Sequence, residues 1–251
     1  MSSNRNLLAR AGFALLGTFC FFWSVAVLLP FRLTASTREV SARILADDRF
    51  RPGVLADLLA RLNAAPRLAI EQPEYLQAEA LIALRVAEEV VQRRSSENPD
   101  SELQAADEKI RSSLSISPSD PFLWFLSYSL KTVRIGFDLS NLKGLEQSYV
   151  LGPREGWIAV RRNRVALSAF GFLRPSLQQS VVSEFMEMVD ADFIDDAAIN
   201  LERVGWLHRD QLLSGLSGAD IASREKLARR VSQDGAKVSI PGVQENDRPW
   251  R

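Results

Sequence analysis

The chain has 251 residues, 31 of them basic and 31 acidic, for a formal net charge of zero. That balance gives nucleic acid no basic field to meet, which excludes it as the main partner. A single cysteine, Cys20, rules out an internal disulfide, and a single histidine, His208, removes most metal-centre and triad chemistry.

Residues 1–10 are a short N-terminal segment with Arg5, Arg10 and no acidic residue. The run 11–29, AGFALLGTFCFFWSVAVLL, opens at Ala11, ends at Leu29 and carries no charge. As a helix rising ~1.5 Å per residue it spans ~28 Å, close to a bilayer's hydrocarbon core. Pro30 closes it. Residues 11–30 are expected to be an uncleaved transmembrane anchor, because the run is longer than a signal core and Leu33-Thr34-Ala35 is a poor cleavage site. A buried core helix is disfavoured, since nothing polar interrupts the run to give an outward face. Arg32, Arg38 and Arg43 beyond the run offset Arg5 and Arg10, so the positive-inside rule decides little. A short N-terminus left in the cytoplasm predicts a single-pass inner-membrane protein with its domain in the periplasm.

Residues 31–73 read as juxtamembrane helices and a linker. A polar helix over 34–48 carries Val40, Ile44 and Leu45 on one side, and Arg51-Pro52-Gly53 breaks it. Residues 54–62 place Val54, Leu55, Leu58, Leu59 and Leu62 at helical spacing. Pro66 and Pro73 bound the connection that follows.

Residues 74–232 read as a helical-repeat domain. The first long helix, 74–93, has one apolar stripe through Leu76, Ala80, Ala83, Leu84, Ala87, Val90 and Val91. After a loop over 95–100, Ser101 is a candidate N-cap, and 105–116 is the return helix with Ala106, Ile110 and Leu114 inward. The segment 122–133 is apolar on so many faces that it predicts the centre of a core. Residues 137–151 return, Gly152-Pro153 stops them, and 154–170 forms a further helix. Pro175 opens the next at its first turn, with Leu177, Val181, Val182, Phe185 and Met186 as buried candidates. Helices over 191–204, 206–213 and 220–232 follow, and 233–251 is expected to be a flexible tail. No alternating strand pattern occurs, so the fold class is all-α.

One internal repeat is legible. Ser112 to Trp124 reads SSLSISPSDPFLW, and Gln147 to Ala159 reads QSYVLGPREGWIA. Pro118 and Pro153 fix an offset of 35 residues, which aligns Ser113 with Ser148, Leu114 with Tyr149 and Phe122 with Trp157. A period near ~34 with a helix pair per unit resembles the tetratricopeptide family. Trp124, Ser148 and Pro153 match its early tryptophan, small helix-B residue and closing proline. Ser127-Tyr128 stands where the family has Leu-Gly. The resemblance covers about one and a half units, roughly 101–170, and implies a stack of antiparallel helix pairs that binds protein or peptide. The layout of anchor, small helical domain and proline–tryptophan turns also resembles small membrane proteins of bacterial exopolysaccharide gene clusters.

Candidate chemistry is sparse. Arg154, Arg161, Arg162 and Arg164 form a basic patch beside Trp157 and are the candidate partner-binding surface. Asp190, Asp192, Asp195 and Asp196, preceded by Glu184 and Glu187, are an acidic cluster that reads first as a helix start and second as a cation or acid–base site. Trp124, Tyr128, Tyr149 and Trp157 read as core aromatics before sugar platforms. His208 with Asp210 reads as a surface histidine. Leu151-Gly152-Pro153-Arg154-Glu155-Gly156 lacks the ending of a phosphate loop. No catalytic residue, cofactor or resident metal is expected. The leading expectation is a membrane-anchored protein-interaction module, an accessory or assembly factor for exopolysaccharide synthesis or export. The alternatives are a membrane-anchored enzyme on glycans or lipids using the cluster 190–196, and an anchor subunit of a larger membrane complex.

Overall fold

The computed structural model describes residues 2–46, 48–64, 73–93 and 99–244. It is all-α over those residues, with eleven α-helices and no strand. The chain divides into two compact units, 1–117 and 118–251, a boundary that falls inside the span 74–232.

The first unit holds α1 (Ser2–Leu45), α2 (Val54–Ala64), α3 (Pro73–Arg93) and α4 (Pro99–Ile116). Its organising element is α3, which packs on α1, α2 and α4 together. Ala78, Ala80, Leu81, Ile82, Ala83, Leu84, Val86 and Ala87 are all buried. One stripe was expected there; three neighbours bury more than one face, and the small alanines let them approach. Lys109 ties α4 back, its Nζ donating to Glu79 Oε1 at 2.6 Å and to Asn63 Oδ1 at 2.7 Å. Ser101 lies in the first turn of α4, not at its cap, because the helix already begins at Pro99. Of the loop expected over 95–100, residues 95–98 lie outside the described ones and 99–100 open α4.

The apolar run expected to be an anchor and the polar helix after it form one continuous helix, α1, which passes through Pro30. Its distal part joins the core through the buried Thr37 and Ile44. In the apolar run the described side chains cover 12–24 and are exposed, among them Phe13, Leu15, Leu16, Phe19, Phe21, Phe22 and Trp23. Among the described residues no helix is long and apolar enough to cross a membrane. The stretch 12–24 amounts to ~20 Å of helix, short of a hydrocarbon core; the side chains of 11 and 25–30, the remainder of the expected span, lie outside the described ones.

The second unit runs α5 (Pro121–Ile135), α6 (Leu142–Leu151), α7 (Gly156–Ser168), α8 (Pro175–Asp190), α9 (Ile194–Glu202), α10 (Arg209–Gly215) and α11 (Ile221–Gln233). Consecutive helices pair, α5 with α6 and α7 with α8, while α9, α10 and α11 close against α8 and one another. Asp120 starts α5, accepting from the backbone N–H of Phe122 at 2.8 Å and of Leu123 at 3.2 Å. The helix ends at Gly136, whose φ of 76° suits glycine. Asp138 then caps a 3-10 turn, 139–141, which delays α6 past its expected start at 137. The core gathers Phe122, Leu126, Leu130, Leu145, Ile158, Phe170, Val181, Phe185, Leu201, Leu212 and Leu227. The expected tail is partly packed: Ile240 is buried, and Pro241 O accepts from Arg224 Nη1 at 2.5 Å. Residues 245–251 lie outside the described ones.

Candidate functional site

The repeat becomes geometry in the second unit. Pro118-Ser119 and Pro153-Arg154 each form a two-residue turn, each followed by one non-helical residue and a helix start, at Pro121 and Gly156. Residues one period apart then meet. The rings of Phe122 and Trp157 lie 4.7 Å apart, tilted by 50°. Beside them Gly152 backs onto Pro121 so closely that a Cβ there would stand 2.5 Å from Pro121 Cγ. The corners differ at the cap. Asp120 caps α5, whereas the Glu155 carboxylate turns away to accept from Trp157 Nε1 at 2.9 Å, and the Trp124 indole N–H donates to Pro118 O at 2.8 Å.

The basic patch is divided by this packing. Arg154 is 86% exposed and faces Glu187 Oε1 at a loose 3.8 Å. Arg161 is half-buried and Arg164 exposed. Arg162 is fully buried, a correction to its expected place on the surface. The reason is periodic: Arg162 follows Ile158 by one turn and precedes Ala166 by one, all three on the inward face of α7.

Inside, Arg162 is saturated. Its Nε donates to Glu184 Oε1 at 2.9 Å and its Nη2 to the same oxygen at 2.5 Å. Nη1 donates to Ser148 O at 2.7 Å and Ser148 Oγ at 3.0 Å, and Nη2 reaches Gly152 O at 2.8 Å. The guanidinium lies 4.1 Å from the Tyr149 ring centroid. Tyr149 OH donates to Glu184 Oε2 at 2.5 Å, and Asn163 Nδ2 donates to Val181 O at 2.9 Å. Burial pushes the Glu184 carboxyl up against the pull of Arg162, and burial followed by the Glu184 charge pushes the Tyr149 phenol well above its ordinary value. The network joins α6, α7 and α8 and satisfies the carbonyls where α6 ends. Arg162, Glu184 and Tyr149 are all buried, so the network ties the three helices together from inside. In the sequence Glu184 stands as a neighbour of the acidic cluster; its phase with Val181, Phe185 and Met188 is the signal that it faces inward.

The carboxylates of 190–196 diverge. Asp190 Oδ1 accepts from Asp220 N at 2.8 Å, Asp192 pairs with Lys226 at 2.7 Å, and Asp195 pairs with Arg230 at 2.6 Å. Arg230 also pairs with Asp234. Asp192 takes a φ of 68° at the turn before α9. An open hollow of about 400 Å³ lies between α9 and α11, lined by Asp192, Asp195, Lys226, Arg229 and Arg230. Opposite charges neutralise one another around it, and among the described residues no three metal-ligating groups converge. The His208 ring lies tilted against Phe170 with centroids 4.6 Å apart, away from this hollow's lining. No protein-family model, curated protein or solved structure matches the chain.

Proposed function

We propose that the chain is a membrane-anchored helical-repeat module for protein–protein interaction, an accessory or assembly factor for the synthesis or export of envelope exopolysaccharide. The observation that carries the interaction role is the contact of the tilted rings of Phe122 and Trp157, one 35-residue period apart, beside two turns of the same form. Helical repeats extend a core in this way, and each added pair widens a surface that a partner can occupy. The tetratricopeptide resemblance favours a protein or peptide as that partner, and the resemblance to small proteins of exopolysaccharide clusters supplies the setting.

The anchor rests on the uncharged run 11–29 and on the outward apolar side chains of 12–24. Rings such as Phe19, Phe22 and Trp23 exposed together need an apolar cover, and hydrocarbon supplies one. On this reading the protein is single-pass in the inner membrane, its domain lies in the periplasm, and a membrane or envelope protein meets Arg154, Arg161 and Arg164. The same exposed run suits a second reading, an anchor subunit packed on other membrane helices; isolation as a stable monomer in mild detergent excludes that.

Affinity capture from detergent-solubilised membranes tests the main reading. Wild type is expected to retain a partner and the Arg154→Ala/Arg161→Ala/Arg164→Ala variant to lose most of it, with Arg162 left in place for the core. Equal recovery by both, or no partner for either, overturns the proposal.

A further inference from the structure

The second unit exposes a compact apolar edge where α5 ends and α7 gives way to α8. Ile135 is 61% exposed, Phe137 44%, Leu139 60% and Phe172 61%. They form one cluster at its centre, since the Phe137 and Phe172 rings lie 4.8 Å apart. The backbone there is bare: Gly136 and Gly171 have no atom within 4 Å of where a Cβ would stand. Lys131 lies one turn before Ile135, Arg134 adjoins it, and Lys143 lies one turn beyond Leu139. All three are exposed, and no carboxylate pairs with them among the described residues. The acid within the segment, Asp138, is turned onto its own turn, accepting from Ser140 N at 2.7 Å; hydrogen bonds from the Ser140 side chain and then from its backbone hold the carboxyl below the ordinary range. Arg174, next to the cluster, is neutralised by Glu146 at 3.0 Å.

We propose that this edge is a second membrane contact: Ile135, Phe137, Leu139 and Phe172 enter the headgroup region of an anionic bilayer while Lys131, Arg134 and Lys143 meet lipid phosphates. Aromatic and aliphatic side chains ringed by unpaired cations are the chemistry of that interface. A protein groove would demand hydrogen-bonding partners around the rim, whereas here the rim is two exposed lysine point charges and one arginine fork, which a fluid layer of phosphates satisfies without fixed geometry. The contact is additional to the anchor proposed above and does not require it.

The test uses the full chain in nanodiscs of phosphatidylcholine, with and without phosphatidylglycerol, read by amide hydrogen exchange. Exchange across 135–143 and 170–174 is expected to slow in the anionic discs alone. Phe137→Ser/Phe172→Ser should abolish that protection while far-ultraviolet circular dichroism is unchanged. Lys131→Ala/Arg134→Ala should weaken it by about fivefold per cation removed. Equal exchange in both discs overturns the proposal. So does protection that rises with protein concentration in neutral discs, which would identify a second copy as the occupant. A chain that fails to enter discs refutes the anchor instead, and co-sedimentation with phosphatidylglycerol vesicles then decides: salt-sensitive binding supports this contact, and none overturns it.

Discussion

Arg162 sits in the interior with a full shell of acceptors, and that fixes what its removal does. Glu184→Ala leaves a guanidinium buried beside two carbonyls and a phenol, with no anion. The expected loss is about 3–5 kcal/mol by urea unfolding. Arg162→Met/Glu184→Leu together should recover only part of it, because the apolar pair needs no charge compensation but leaves Gly152 O and the Tyr149 hydroxyl without the partners they had. The pH dependence has a definite sign. Burial raises the folded Glu184 carboxyl above its ordinary 4.5, so the folded chain binds that proton more tightly than the unfolded chain does. The resulting stability is complete below the ordinary value and is lost as pH rises through the folded one. The stability of wild type minus that of Glu184→Gln should therefore fall from pH 4.5 toward neutrality. A difference that grows with pH would mean that Arg162 governs the site instead.

At the scale of elements, the two proline corners look alike and are built differently. Asp120→Ala removes a cap with two backbone donors and should cost about 1 kcal/mol. Glu155→Ala, one period on, removes an exposed contact to an indole and should cost far less, a contrast that paired thermal melts can read. Gly152→Ala drives a Cβ into Pro121 and should cost about 1–3 kcal/mol by overpacking. A neutral Gly152→Ala would show that the corners do not nest. The helices themselves were readable from apolar spacing, and most begin within a few residues of where the pattern puts them. The late start of α6 was not, because it follows from Gly136 and the Asp138 turn, two local choices that periodicity ignores. The inward turn of Arg162 was half-legible: its phase with Ile158 and Ala166 was there, but a run of three arginines over four positions reads as surface until the phase is weighed.

For the whole molecule, the second unit carries its own core, from Phe122 to Ile240, and its own buried polar network. Residues 118–244 expressed alone are expected to unfold in one cooperative, helical transition by circular dichroism; a broad, non-cooperative melt would show that the unit is not self-sufficient. The sequence by itself determined the all-α class, the zero net charge, the apolar N-terminal run and the 35-residue echo, because each is a property of spacing or composition along one chain. The tertiary structure alone decided that α3 is enclosed by three helices, that the acids of 190–196 part company toward Lys226, Arg230 and the backbone of Asp220, and that Arg162 belongs to the interior. Those outcomes depend on which side chain arrives from a distant helix. A buried charge is tolerated only where its partner, Glu184, comes to meet it, and one strand of residue spacings holds no record of that meeting.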